Sequence, residues 1–337
     1  MLAICPLKAS AQYIPPDSLK KLINSTKADS IRIDAMNWLS FRYLQKLDFD
    51  TCQLWADKAL KLSIKINYKS GVGFAYLNMG NIKGLEVNKL QSNTYYLKAI
   101  KILEEANDKG IMGICYSNIA LNYINEENYS ECLRHLYKSL RLQTESGHKF
   151  GLAHCYLIFG LYHQSQGDYK EAYKNSQLST DIFQKLEENH LLSGSYLTKG
   201  NANLALCNYQ LALRDYNAAK TVYKELGDPI WLKINYSWCI AGLLQSQGDS
   251  CLLVNNKNVS TEYYSKAEKH YLKAIQYASG ADTVSLAALY DNLGQLYLKE
   301  QKCQLARACF HKSIPIAASI NGKQTLSNSY YSPFSFR

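Results

Sequence analysis

The chain is poor in everything that interrupts a helix. Its 337 residues hold only 6 prolines and 18 glycines against 27 tyrosines, which favours long helices carrying bulky amphipathic side chains. A long apolar run is also missing. Nothing approaches the roughly 18 uninterrupted apolar residues of a membrane-spanning helix, so these residues do not cross a bilayer. Hydrophobic residues at 47% and charged residues at 20% are ordinary for a well-packed protein and argue against disorder. Dense basic runs are absent too. The formal net charge is +10, but the basic residues are scattered and Lys20-Lys21 is among the few adjacent pairs. The charge reads as a solvated surface, and no nucleic acid is expected to bind this region.

Signatures of catalysis are lacking as well. The sequence has no phosphate-cradling glycine loop, no HExxH and no GxSxG elbow. Its seven histidines are dispersed. His154 and His163 share one helix, yet nine residues of rise place them roughly 13 Å apart, too far to share a metal. Cys303, Cys309 and His311 form only a loose cluster. No CxxC pair occurs among the ten cysteines, and their spacing does not suggest a disulfide framework. The expectation is a non-enzyme with no catalytic residue, no metal and no cofactor.

What the chain does have is a repeat. Tyr76-Leu77-Asn78-Met79-Gly80, Tyr116-Ser117-Asn118-Ile119-Ala120, Tyr156-Leu157-Ile158-Phe159-Gly160 and Tyr196-Leu197-Thr198-Lys199-Gly200 align without gaps, preceded by Met36-Asn37-Trp38-Leu39-Ser40. The closing small residue falls at 40, 80, 120, 160 and 200, a period of 40. Later copies lie at Ser237 to Ala241 and Tyr290 to Gly294. Further small residues keep the beat at Cys52, Ser92, Cys132, Ala172 and Ala212, and again at Ala59, Ala99, Ser139, Ser179 and Ala219. The late copies have Ala267 with Ala274, and Ala306 with Ser313. Paired helices approach closely only where side chains are small, and the intervening large apolar residues fall at helical spacing. On this basis Cys52, Cys115, Cys132 and Cys155 are packing residues. Polar turns such as Gln166-Gly167-Asp168 separate the helices, glycine supplying the freedom to end one.

These residues resemble the tetratricopeptide repeat. The copy at Tyr290, Leu293-Gly294, Tyr297, Ala306 and Phe310 matches best, with Ser313 replacing a final alanine. The resemblance covers roughly 30–320 and implies an all-α, right-handed superhelical solenoid of about seven helix-turn-helix units, each longer than the family's usual 34 residues. Longer units of this kind look like those of bacterial signalling proteins, kinesin light chains and peptide-sensing regulators. Asp17 to Leu22 and the linker Asn107-Asp108-Lys109-Gly110-Ile111 also look like the sensor regions of bacterial membrane-anchored histidine kinases and helix-turn-helix regulators. That likeness implies an exported array followed by a membrane helix and an output domain.

The expected organisation is a signal-peptide remnant at 1–11, a lead-in helix at 12–30, one array at 31–320, and the start of an incomplete repeat at 321–337. Ala9-Ser10-Ala11 before Gln12 has the small-x-small form of a processing site, although Pro6 interrupts the short apolar stretch upstream. An insertion at about 250–261 is read as a surface loop, or as a lid at the edge of the groove.

In solenoids the first helices line the concave face. That places Asn37, Leu77, Leu157, Leu197 and Trp238 in one row there, Phe41, Asn81, Leu121, Leu161 and Asn201 in a second, and Asn78, Asn118 and Asn292 beside them. A carboxamide both donates and accepts, so a ladder of asparagines can pair with an extended peptide while apolar neighbours take its side chains. The resemblance implies that role for Asn78, Asn118 and Asn292. The alternative is that these asparagines bond to neighbouring helices. No lysine or arginine of a carboxylate clamp stands in the rows. The expected partner is therefore a protein or peptide segment in the groove, with any membrane link made only by a downstream segment and the oligomeric state left open. The expected role is the periplasmic sensory input of a bacterial signalling protein. A free-standing cytoplasmic adaptor and a solenoid holding a hydrophobic small molecule stay open beside it.

Overall fold

The computed structural model describes residues 14–86, 88–226, 229–280 and 282–319. The signal-peptide remnant and the tail lie outside the described residues. Among them every regular element is an α-helix. In order these are α1 (Pro16–Ser25), α2 (Asp29–Gln45), α3 (Phe49–Lys65), α4 (Lys69–Leu85), α5 (Lys89–Glu105), α6 (Lys109–Asn125), α7 (Tyr129–Ser146) and α8 (Lys149–Ser165). There follow α9 (Tyr169–Lys185), α10 (Asn189–Ala205), α11 (Tyr209–Glu225), α12 (Ile230–Leu253), α13 (Lys257–Ala278), α14 (Thr283–Lys299) and α15 (Cys303–Ser319). After α1 they succeed one another as helical hairpins, α2 with α3 through α14 with α15. The fold is an all-α helical-repeat solenoid of tetratricopeptide type.

Its beat is set by the turns. Most helices are 17 residues long, and α2, α3 and α5 to α10 are each followed by a residue in the left-handed region: Leu47, Asn67, Asn107, Glu127, Gly147, Gly167, Glu187 and Cys207, all multiples of 20 apart. One such residue reverses the chain, and the next caps the following helix. Asp48, Asn88, Asn128 and Asp168, 40 residues apart, each accept a bond from the backbone N–H three residues on, at 3.1–3.4 Å. These caps satisfy donors that a helix start leaves open. Glycine is not the rule here, contrary to expectation. Asparagine, glutamate, leucine and cysteine also occupy the left-handed position, because the cap and the packing of the hairpin outweigh its cost.

The small residues sit where the helices of a hairpin meet. Ser40, Ala120, Cys52, Ser92, Cys132, Ala172 and Ala212 are fully buried, as are Ala59, Ala99, Ser139, Ser179 and Ala219. Burial holds the Cys52 thiol up at about 11 and those of Cys132 and Cys155 at about 12, so these cysteines pack as neutral apolar groups. A specific lock recurs in three hairpins. A Cβ on Gly80, Gly200 or Gly248 would overlap the ring of Tyr96, Tyr216 or Tyr264, sixteen residues on. Each tyrosine hydroxyl then donates to the residue after the glycine: Asn81 at 2.9 Å, Asn201 at 2.8 Å and Asp249 at 2.7 Å. The glycine admits the ring, and the neighbouring carbonyl or carboxylate oxygen satisfies its hydroxyl.

The insertion at 250–261 is not a loop, and that expectation is corrected. It is absorbed into the hairpin: α12 has 24 residues and α13 has 22, where α10 and α11 have 17 each. Ala267 lies seven residues further into its helix than Ala212 does. Seven residues are about two helical turns, so both helices lengthen without rotating their packing faces. Asn255 in the left-handed region and Asn256 as cap, accepting from Val259 N at 3.4 Å, close the longer hairpin as the shorter ones are closed.

The chain groups into two compact units, one of residues 14–124, Asn128–Ile158 and Asp181–Glu188, the other of Asn125–Glu127, Phe159–Thr180 and 189–319. In the first, α1 covers the leading face of α2, with Leu19 and Ile23 packed on Ala35 and Leu39. In the second, Trp238, Tyr271, Leu289 and Leu293 form one buried cluster and Leu197, Tyr216, Leu232 and Leu243 another.

If the glycine lock holds each hairpin together, Gly200→Val forces Tyr216 out of place. It should then lower unfolding stability by about 1–3 kcal/mol in urea titration followed by circular dichroism, with native helicity kept in buffer.

Candidate functional site

The first-helix rows singled out in the sequence do not form an open face. Asn37 and Asn78 are fully buried, as are Leu77, Leu157, Leu197, Asn201 and Trp238 to within a few per cent. Asn118, Leu161 and Asn292 are buried at their edges. Only Phe41, Asn81 and Leu121 keep substantial accessible surface. The asparagines of the first unit tie successive first helices to one another. Asn37 Nδ2 donates to the Gly71 carbonyl at 3.1 Å, Asn78 Nδ2 to the Asn37 carbonyl at 2.9 Å, and Asn118 Nδ2 to Asn81 Oδ1 at 2.8 Å. Their side chains replace backbone partners that stacked helices cannot offer each other.

The chemically distinctive groups lie one step away. Phe41 belongs to an aromatic cluster with Trp38, Phe74, Phe150 and Phe183, whose neighbouring ring centroids stand 5.3–6.0 Å apart in edge-to-face geometry. Rings prefer that arrangement, positive edge to negative face. Beside it Arg42, 4% exposed, meets the carboxylate of Glu188, 1% exposed. Nη1 reaches the two oxygens at 2.8 and 3.1 Å, and Gln45 Nε2 donates to the same carboxylate at 2.9 Å. The guanidinium also lies 5.7 Å from the rings of Trp38 and Phe41. Residues 146 positions apart are thus joined by a buried, charge-assisted contact.

The second unit holds a comparable centre. Lys199 Nζ lies 3.0 Å from Asp215 Oδ1 and donates to Gln177 Oε1 at 3.2 Å, while Asn203 Nδ2 donates to Asp215 Oδ2 at 2.8 Å. Both partners are almost wholly buried. Desolvating such charges is costly, and the surrounding amides repay part of it by filling the remaining bonding positions.

The sequence reading missed both centres, although a signal exists. Arg42 occupies the place of Ile82, Asn122, Tyr162 and Ala202 in the other units, and Lys199 that of Leu39, Met79, Ile119 and Phe159. A cation at a position buried in every other copy requires a buried partner. Glu188 and Asp215 could not be assigned to that duty from spacing alone.

Two histidines add an electrostatic feature to the first unit. His154 Nδ1 pairs with Ser117 Oγ at 2.9 Å, and burial pushes its pKa down to about 4. His135 stacks between Tyr116 and Tyr123, at 5.7 and 5.5 Å. Burial, with Arg134 and Lys138 nearby, lowers its pKa to about 4 as well. Both are neutral near pH 7 and serve as polar packing groups.

No protein-family model and no curated protein sequence matches the chain. Solved structures do match in fold. A Rap protein complexed with Competence and Sporulation Factor superposes with a TM-score of 0.63 at 16% identity, covering 90% of this chain and 80% of its own. Aspartyl phosphate phosphatase F from Bacillus subtilis gives 0.56 at 17% identity, covering 92% and 77%. A signal transduction ATPase with a tetratricopeptide repeat sensor, from Pyrococcus horikoshii, gives 0.51 at 16% identity, covering 92% and 54%. At such identities the likeness is one of fold. It places the chain among helical-repeat proteins of tetratricopeptide type.

Two expectations follow for this site. Arg42→Met strands the Glu188 carboxylate and should cost about 3–5 kcal/mol, whereas Arg42→Met combined with Glu188→Met should recover most of that loss, read by chemical denaturation. The histidines predict a pH dependence. Between about pH 4 and 6.5 the unfolded chain binds protons that folded His135 and His154 refuse, so stability falls as pH falls, by about 1.4 kcal/mol per unit for each. His154→Gln should flatten the slope over that window.

Proposed function

We propose that the chain is a non-catalytic scaffold that binds a protein or peptide segment, and that it serves as the sensory input region of a bacterial signalling protein exposed to the periplasm. The observation that carries the reading is the partly accessible aromatic pair Trp38 and Phe41 of α2. Its rings meet edge to face with Phe74 and Phe150, while the Arg42 guanidinium beneath them is already paired with the Glu188 carboxylate. Partly accessible rings with free edges suit an apolar or aromatic side chain of a bound segment. The fold supports the reading by analogy, since one structural neighbour is complexed with Competence and Sporulation Factor and another carries its repeats as a sensor. Of the thirteen first-helix positions singled out in the sequence, ligand contact is proposed for Phe41, Asn81 and Leu121, whose side chains retain accessible surface.

Panning a random peptide library on the immobilised chain tests this. Recovered peptides should share a motif, and Phe41→Ser should weaken their binding about tenfold while leaving the helical spectrum intact. Recovery of unrelated peptides, or a motif indifferent to Phe41, would refute the assignment. For the compartment, the N-terminus of the mature protein isolated from its source should begin near Gln12.

A further inference from the structure

The lengthened hairpin ends in a feature that the proposed peptide site does not use. Leu252, Leu253 and Val254 follow one another at its turn, 41%, 86% and 74% exposed, with Val259 37% exposed on the returning helix. Among the described residues no large apolar side chain is more exposed than Leu253. The three-residue turn itself, Val254-Asn255-Asn256, is as polar as Lys46-Leu47-Asp48 or Leu206-Cys207-Asn208; the added apolarity lies in the last helical residues Leu252 and Leu253, where the matching residue of α4, Leu85, is 51% exposed. Seven residues added at the tip end of each helix carry the tip about 10 Å further out than a 17-residue pair reaches. Length and apolarity therefore coincide in this one hairpin.

The base of the tip is anchored. Tyr264, admitted by Gly248, donates to Asp249, and Lys299 Nζ reaches the same carboxylate at 2.6 Å. Tyr209 Oη bonds Ser250 Oγ at 2.7 Å. These contacts also set its charge. No acidic residue occurs from Ser250 to Thr261. The two carboxylates that border it, Asp249 and Glu262, are held by Lys299 and Lys266, each at 2.6 Å. Lys257 stands exposed at the tip among Asn255, Asn256 and Asn258.

We propose that this tip is a membrane-contact element, inserting Leu252, Leu253 and Val254 into the interface of an anionic lipid bilayer. A convex apolar point requires a matching cavity in a protein partner, whereas a bilayer interface deforms around it and needs none. The side chains bury apolar area among acyl chains, the asparagines meet headgroups, and Lys257 with the chain's net charge of +10 adds electrostatic attraction. No carboxylate at the tip opposes an anionic surface. The inference stands independently of the peptide-binding reading, since it concerns another hairpin and another class of partner.

Co-sedimentation of the full chain with vesicles of equal parts phosphatidylcholine and phosphatidylglycerol provides the test. The chain should pellet with these vesicles, less with phosphatidylcholine alone, and less at high salt. Leu253→Asp combined with Val254→Asp should weaken partitioning about tenfold or more without shifting the melting temperature, since both side chains are exposed. Lys257→Glu should weaken it on anionic vesicles only. A chain that stays in the supernatant with every vesicle, as it would if the tip filled a protein pocket, overturns the proposal. So does a double variant that pellets like the parent.

Discussion

The structure rests on how closely two helices can approach within each hairpin. Where the first helix offers glycine, serine or alanine at its midpoint, the second can lay a ring or a small residue directly against its backbone. Gly80 with Tyr96, Gly200 with Tyr216, Gly248 with Tyr264 and Gly294 with Phe310 are such cases. A larger residue at any of these points would push the helices apart, and the stacking of hairpin on hairpin would lose its spacing. Helix length, turn geometry and capping all serve that contact. A 17-residue helix followed by a three-residue turn, whose second residue is left-handed and whose third is the cap, returns the chain to the same relation every 20 residues.

Close packing has a polar consequence. The first helices are buried over most of their circumference, so side chains that would face solvent in an isolated hairpin must find partners inside. Asn78 and Asn118 do so by bonding to the preceding repeat. Arg42 does so through a carboxylate 146 residues away, and Lys199 through Asp215 on the second helix of its own hairpin. Such pairs add little net stability against well-packed apolar residues, but they punish any arrangement that leaves a charge alone. The Arg42–Glu188 pair therefore disfavours stackings of similar repeats that would leave either charge alone.

The same economy explains the lengthened hairpin. Two turns added to both helices preserve the packing face, and the glycine–tyrosine lock recurs one heptad further out. Growth by a different number of residues would have rotated Tyr264 away from Gly248. The hairpin could thus extend past its neighbours without a change of architecture, and its end is freed from the repeat's constraints on composition.

The repeat, its 40-residue period, the small contact positions and the all-α class were all legible in the sequence, because each depends on spacing along one chain and recurs in every copy. The role of Asn78 was half legible: its residue type announced a hydrogen bond, but whether the partner was a peptide or the next helix depended on how tightly hairpins nest. The helical insertion was misread because asparagines around 255–258 mark a turn without showing how far the flanking helices run. Arg42 and Lys199 break the apolar register visibly, yet Glu188 and Asp215 gave no sign of being their partners. By itself the sequence determined everything set by local periodicity, since a helix needs only its own neighbours to form. Only the tertiary structure decided which polar groups were consumed inside the molecule and which stayed accessible, because burial is a property of segments brought together from far apart in the chain.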